Sequence, residues 1–127
     1  MIAKILIADD NAELRGFLKD YLVSKHHVVL EADDGAEAFT VAEAEMPHLI
    51  IMDVVMPGVY GSTAAKRLRE YRETSQIPII IMSGSIEQSV LGEVLTLPGI
   101  RYLKKPFDVG TLERTIRELL PDGGFTK

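Results

Sequence analysis

Two kinds of hydrophobic pattern alternate along the chain. Unbroken apolar runs, such as Ile5-Leu6-Ile7-Ala8 and Ile79-Ile80-Ile81-Met82, read as strands buried on both faces of a sheet. Between them apolar residues recur at intervals of three and four, the period of an amphipathic helix. Strands are predicted over 4–8, 28–30, 49–52, 77–82 and 100–103, with Pro78 near the start of the fourth, where a missing donor is tolerated. The first helix is expected over 11–24, with Leu14, Phe17, Leu18, Tyr21 and Leu22 on its apolar stripe. Further helices are expected over 35–45, ending before Pro47, over 62–72 and over 85–95. A last helix faces inward through Val109, Leu112, Ile116 and Leu119. Asp10 with Glu13, Asp34 with Glu37 and Ser85 with Gln88 have the spacing of a helix cap and its partner, and Asp108 is placed to cap the last helix.

This alternation implies the α/β class: a three-layer, five-stranded parallel sheet with five helices on its two faces, for which 2-1-3-4-5 is a common strand order. The 127 residues fit one domain, read as 1–121, with a flexible tail over 122–127 around Gly123-Gly124. A net charge of −5 argues against nucleic acid as a direct partner. The densest basic cluster, Lys66, Arg67, Arg69 and Arg72, is interleaved with Glu70 and Glu73 at i,i+4 spacing and reads as a solvated helix face. The chain has no cysteine and so neither a disulfide framework nor a thiolate metal site, and its apolar runs are too short for a signal peptide or a membrane span. A soluble cytoplasmic protein is expected. His26, His27 and His48 read as surface residues.

Candidate chemistry gathers where the strands end. In a doubly wound sheet, ligands bind beyond the carboxyl ends of the strands. The first strand ends in Asp9 and Asp10, the third in Asp53, the fourth in Ser83, and the fifth is followed by Lys105. Asp53 closes the run Leu49-Ile50-Ile51-Met52, and a carboxylate at the edge of a core is normally paired, metal-bound or reactive. In the expected order the third strand lies between the first and the fourth, while the fifth is roughly 10 Å away, within reach of a long side chain only, and a lysine stands there. Crowded carboxylates raise one another's pKa values, and one lysine does not neutralise all three. Oxygen-only ligation suits Mg2+, or Mn2+, rather than zinc. A carboxylate beside such an ion, a lysine and a hydroxyl is arranged to attack a phosphoryl group.

In these residues the chain resembles the receiver domains of two-component response regulators, of the chemotaxis-type single-domain kind, from Ile2 to Leu120. The likeness lies in Asp9-Asp10, in Asp53 followed by Met56-Pro57-Gly58, in Met82-Ser83-Gly84, and in Tyr102-Leu103-Lys104-Lys105-Pro106-Phe107. It implies a flavodoxin-like fold and a phosphoacceptor Asp53, charged from a histidine kinase or a histidine phosphotransfer protein. It further implies Mg2+ held by Asp10, Asp53 and the backbone carbonyl of Val55, with Asp9 acting through a water. Lys105 would pair with Asp53 and then with the phosphoryl oxygens, and Ser83 would bond the phosphoryl group. Tyr102 would turn inward as Ser83 moves. Output, or homodimerisation, would use the face made by helix 4, strand 5 and helix 5.

Each of these residues also has a plain structural reading: Asp9-Asp10 as a helix cap, Ser83 as part of a Ser-Gly-Ser turn, Tyr102 as strand-end packing. Two other functions fit parts of the pattern. One is an interaction module indifferent to phosphorylation; the other is a metal-dependent phosphatase, which usually needs a second acid where Val55 stands. The segment Leu97-Pro98-Gly99-Ile100-Arg101 departs from the Gly-Ala and acidic residues common in the family before strand five. Apolar Val55 cannot orient an attacking water, so rapid self-dephosphorylation is not assumed.

Overall fold

A computed structural model describes residues 2–55, 61–84 and 88–120. Strands and helices alternate as β1 (Lys4–Ala8), α1 (Ala12–Ser24), β2 (Val28–Ala32), α2 (Gly35–Glu45), β3 (Leu49–Asp53), α3 (Gly61–Glu70), β4 (Ile79–Ser83), α4 (Gln88–Leu95), β5 (Ile100–Lys104) and α5 (Val109–Leu119). The strands form one parallel sheet in the order β2-β1-β3-β4-β5. This is the flavodoxin-like order expected from the pattern.

The period of two along each strand sorts its side chains between two cores. Leu6, Ala8, Ile50, Met52, Ile79 and Ile81 pack under α2, α3 and α4 against Phe39, Ala42, Leu68 and Val94. Ile5, Ile7, Leu49, Ile51, Ile80 and Met82 pack under α1 and α5 against Leu18, Leu22, Leu112 and Ile116. β3 and β4 are buried at every position, the signature of central parallel strands covered on both faces.

Local expectations are refined at several points. Asn11, not Asp10, caps α1: its side chain accepts the N–H groups of Glu13 and Leu14. Asp34 and Asp108 cap as expected, accepting from Glu37 N–H and Thr111 N–H. Phe17 lies outside the inward stripe of α1 and is 53% exposed, whereas Leu18 and Leu22 are buried and Leu14 and Tyr21 pack against the same core. β2 runs to Ala32, and β4 begins at Ile79, after the proline. His27 is buried, with Nδ1 accepting Ala3 N–H at 3.0 Å, so it is not a surface residue. The expected i,i+4 partners of Lys66 and Arg69 are replaced by tertiary ones. Lys66 pairs with Glu93 of α4, and Arg69 donates to the carbonyls of Pro98, Thr74 and Ile77. The Met56-Pro57-Gly58 turn, the Ser85 cap and the 122–127 tail lie outside the described residues. Among the described residues no helix is long and apolar enough to cross a membrane.

Candidate functional site

A parallel sheet delivers all its carboxyl ends to one pole, and Asp9, Asp10, Asp53 and Lys105 meet there. One carboxylate oxygen each of Asp9, Asp10 and Asp53 lies within 4.8 Å of the others. Strand alternation decides which residues share a face. Asp53 continues the Leu49 and Ile51 side of β3, and Asp9 continues the Ile5 and Ile7 side of β1, so both point toward the α1 and α5 face. Lys105 continues the Leu103 side of β5 and reaches across β4 to the same place. Its Nζ lies 2.7 Å from Asp53 Oδ2 and 3.0 Å from Asp9 Oδ2. Ser83 falls on the other side of β4, with Ile79 and Ile81, and Tyr102 shares that face on β5.

The three acids are held differently. Asp9 is fully buried, with Oδ1 accepting Asn11 N–H at 2.8 Å and Oδ2 facing Lys105. Asp53 is 7% exposed, and its Oδ1 accepts Val55 N–H at 2.9 Å. Asp10 is exposed, and among the described residues its carboxylate accepts no hydrogen bond, which leaves its oxygens available to a ligand. Burial pushes the Asp9 carboxyl above its usual value, against the lowering effect of Asn11 N–H and Lys105. Burial also disfavours the Lys105 ammonium, but the hydrogen bonds and attraction of Asp53 and Asp9 outweigh it and raise its pKa.

The all-oxygen donor set suits a hard divalent cation. Val55, two residues after Asp53, is 55% exposed. Ser83 is buried, and its carbonyl accepts Lys105 N–H at 2.8 Å and Tyr102 Oη–H at 3.2 Å. Tyr102 is half-buried against the core under α2 to α4.

One part of the site was not read from the sequence. Arg15 of α1 donates from Nη1 to the Asp9 carbonyl at 2.5 Å and from Nε to Glu31 Oε1 at 3.1 Å, and Lys19 binds the second oxygen of Glu31 at 3.1 Å. The i,i+4 spacing of two basic residues on α1, opposite an acid in an otherwise apolar β2, was the available signal.

The fold and this pole of acids, lysine and hydroxyl define a class, the flavodoxin-like α/β proteins with an acidic site at the strand ends. The chain belongs to the response regulator receiver domain family, whose family model matches residues 5–117, and it is thus a receiver of two-component signalling. It is 38% identical over 122 residues to the protein PilH of Pseudomonas aeruginosa, covering 94% of this chain and 98% of PilH. In structure it is similar to the chemotaxis protein CheY4 of Vibrio cholerae, with a TM-score of 0.85, 28% identity, and 94% and 99% of the two chains covered. It is equally similar to the receiver domain of sensor histidine kinase PA1611 from Pseudomonas aeruginosa, which has a magnesium ion coordinated in its active site cleft. The TM-score there is 0.85, with 25% identity and coverage of 96% and 100%. Members of this family are signalling switches rather than turnover enzymes.

Proposed function

We propose that Asp53 accepts a phosphoryl group from a phosphohistidine on a sensor kinase or a phosphotransfer protein, and that the chain changes partner affinity as a result. The observation that carries this reading is the Asp53 carboxylate at the end of β3, within 4.8 Å of two further acids and 2.7 Å from Lys105. Attack by a carboxylate oxygen forms the oxygen–phosphorus bond as the nitrogen–phosphorus bond of the donor breaks, its electron pair staying on the imidazole. Lys105 stands ready to take up the phosphoryl charge, since its ammonium already faces Asp53. Asp10, Asp53 and the Val55 carbonyl would hold Mg2+, with Asp9 behind a water. The ion would supply Lewis-acid stabilisation of the transferring oxygens. Ser83 would bond the phosphoryl group after transfer. Tyr102, on the Ser83 carbonyl, would report that movement to the face of α4, β5 and α5, where an effector or a second copy would bind.

Incubation with a small phosphodonor and Mg2+ tests the reading. An acid-stable, base-labile adduct that disappears in Asp53→Asn is expected; no adduct, or one that survives the substitution, overturns it.

A further inference from the structure

Asp10 is the acid of this site with the least support of its own. Among the described residues its carboxylate accepts no hydrogen bond, whereas Asp9 and Asp53 are each held at both oxygens. Its position therefore depends on its backbone. The peptide that joins Asp9 to Asp10 is planar, so fixing the Asp9 carbonyl fixes the plane from which the Asp10 Cα departs. Arg15 makes that contact, with Nη1 2.5 Å from the carbonyl oxygen. The guanidinium is itself tied down, because Nε meets Glu31 Oε1 at 3.1 Å and Glu31 also binds Lys19 at 3.1 Å. Glu31 adjoins Ala32 on β2, and the Ala32 carbonyl accepts Asp9 N–H at 3.1 Å. The same end of β2 thus holds Asp9 on both sides, by its N–H directly and by its C=O through Arg15.

We propose that Arg15 is a positioning residue for divalent-cation binding, orienting Asp10 through the Asp9–Asp10 peptide. This rests on reading the three acids as the cation site. The sign of the effect separates the role from plain electrostatics. A guanidinium beside an acidic site repels a divalent cation, so its removal on charge grounds alone would tighten binding. A positioning role demands the opposite. Loss of an outer support typically weakens metal binding by about 10- to 100-fold. The lower end applies here, since Asp53 keeps its own contacts.

The test is titration of the metal-free full chain with MgCl2 and with MnCl2 by calorimetry, without phosphodonor, for the wild type, Arg15→Met and Arg15→Lys. Arg15→Met is expected to bind about tenfold more weakly although it removes a like charge. Arg15→Lys, which still reaches one acceptor, should recover part of the loss. Equal or tighter binding by a folded Arg15→Met overturns the proposal. Amide exchange in the metal-free protein is the second readout: Asp10 and Asn11 should exchange faster in Arg15→Met while Ile50 and Ile51 do not change. Unchanged exchange at Asp10 and Asn11 also overturns the brace. If Arg15→Met does not fold, Glu31→Ala, which leaves Arg15 in place without its anchor, takes its place in both measurements with the same expected direction. A wild type that binds neither ion refutes the cation-site reading instead, and the exchange measurement then decides the brace by itself.

Discussion

Lys105 Nζ bonds two carboxylates at once, at 2.7 Å to Asp53 and 3.0 Å to Asp9, though the lysine lies 52 and 96 residues away from them in sequence. The ammonium is the visible counter-charge to two buried acids, and its side chain retains 22% of its surface. Replacing one member of a buried pair leaves the other charge uncompensated, which costs about 3–5 kcal/mol when both are fully buried. Partial exposure of Lys105 reduces this, and Lys105→Met is expected to cost about 2–3 kcal/mol in urea unfolding of the metal-free protein. Added Mg2+ should return part of that loss. A variant as stable as the wild type would contradict this account of the pair.

Asp9 gives a pH dependence with a defined sign. Burial raises its folded-state pKa above the ordinary 3.8, so the native chain retains a proton that the unfolded chain has released. Without metal, this group's contribution to stability falls as pH rises from the ordinary value through the raised one, and it remains unfavourable at neutral pH. Asp9→Asn should remove that segment of the pH–stability curve. It should stabilise the metal-free protein at pH 7 by about 0.5–1 kcal/mol, the low end because the amide keeps the Asn11 bond but gives up the Lys105 bond. Mg2+ affinity should fall in the same variant. Thermal melts across pH 3 to 8, at roughly half-unit steps around the Asp9 titration, would show it.

Tyr102→Phe removes one of two donors to the Ser83 carbonyl, and Lys105 N–H remains. The acceptor is not orphaned, so the expected cost is about 0.5–1 kcal/mol. If the ring transmits the state of Ser83, partner binding should lose its dependence on phosphodonor in this variant while Asp53 still takes up phosphoryl groups. Loss of phosphoryl uptake itself would place Tyr102 in the chemistry instead.

Arg69 holds together the turn before β4 and the turn before β5. Its guanidinium is half-buried and reaches the carbonyls of Pro98, Thr74 and Ile77 at 2.9, 3.2 and 2.7 Å. Gly99, at φ +71, lies against it, and a Cβ there would come within 3.3 Å of Nη2. Arg69→Met should cost about 2–3 kcal/mol, because each bond to a charged donor contributes more than a neutral one. Faster amide exchange over residues 95–99, with β1 unaffected, is the accompanying mark.

The fold was legible because its signals are local and repeated. Unbroken apolar runs and a helical period of three and four mark β3, β4, α1 and α5 without knowledge of the partners. Asp9 and Asp53 were legible for a related reason: a charge closing an apolar run is costly unless it has work or a partner. Lys105 followed from the expected strand order, which left only a long side chain able to reach back from the fifth strand. Arg69 was misread because its acceptors are backbone carbonyls, one of them 29 residues on, and a carbonyl leaves no trace in residue identity. Its i,i+4 spacing to Glu73 offered a simpler but wrong partner. His27 failed likewise, since its acceptor role toward Ala3 N–H depends on β1 lying beside β2. Arg15 was passed over as one charge among many on α1, and only the distance to Asp9 distinguishes it.

The chain's histidines have a consequence for how a signal can reach it. His48 immediately precedes β3 and accepts Lys4 N–H, while His26 and His27 lie in the turn that enters β2. All three stand at the amino-terminal pole of the sheet, and Asp53 ends β3 at the other. The five residues of β3 separate the poles by about 16 Å of extended chain. None of these three imidazoles can pass a phosphoryl group to Asp53. A phosphoryl group that reached Asp53 from a histidine would therefore come from an imidazole beyond these residues, and its donor would have to dock at the pole opposite His26, His27 and His48.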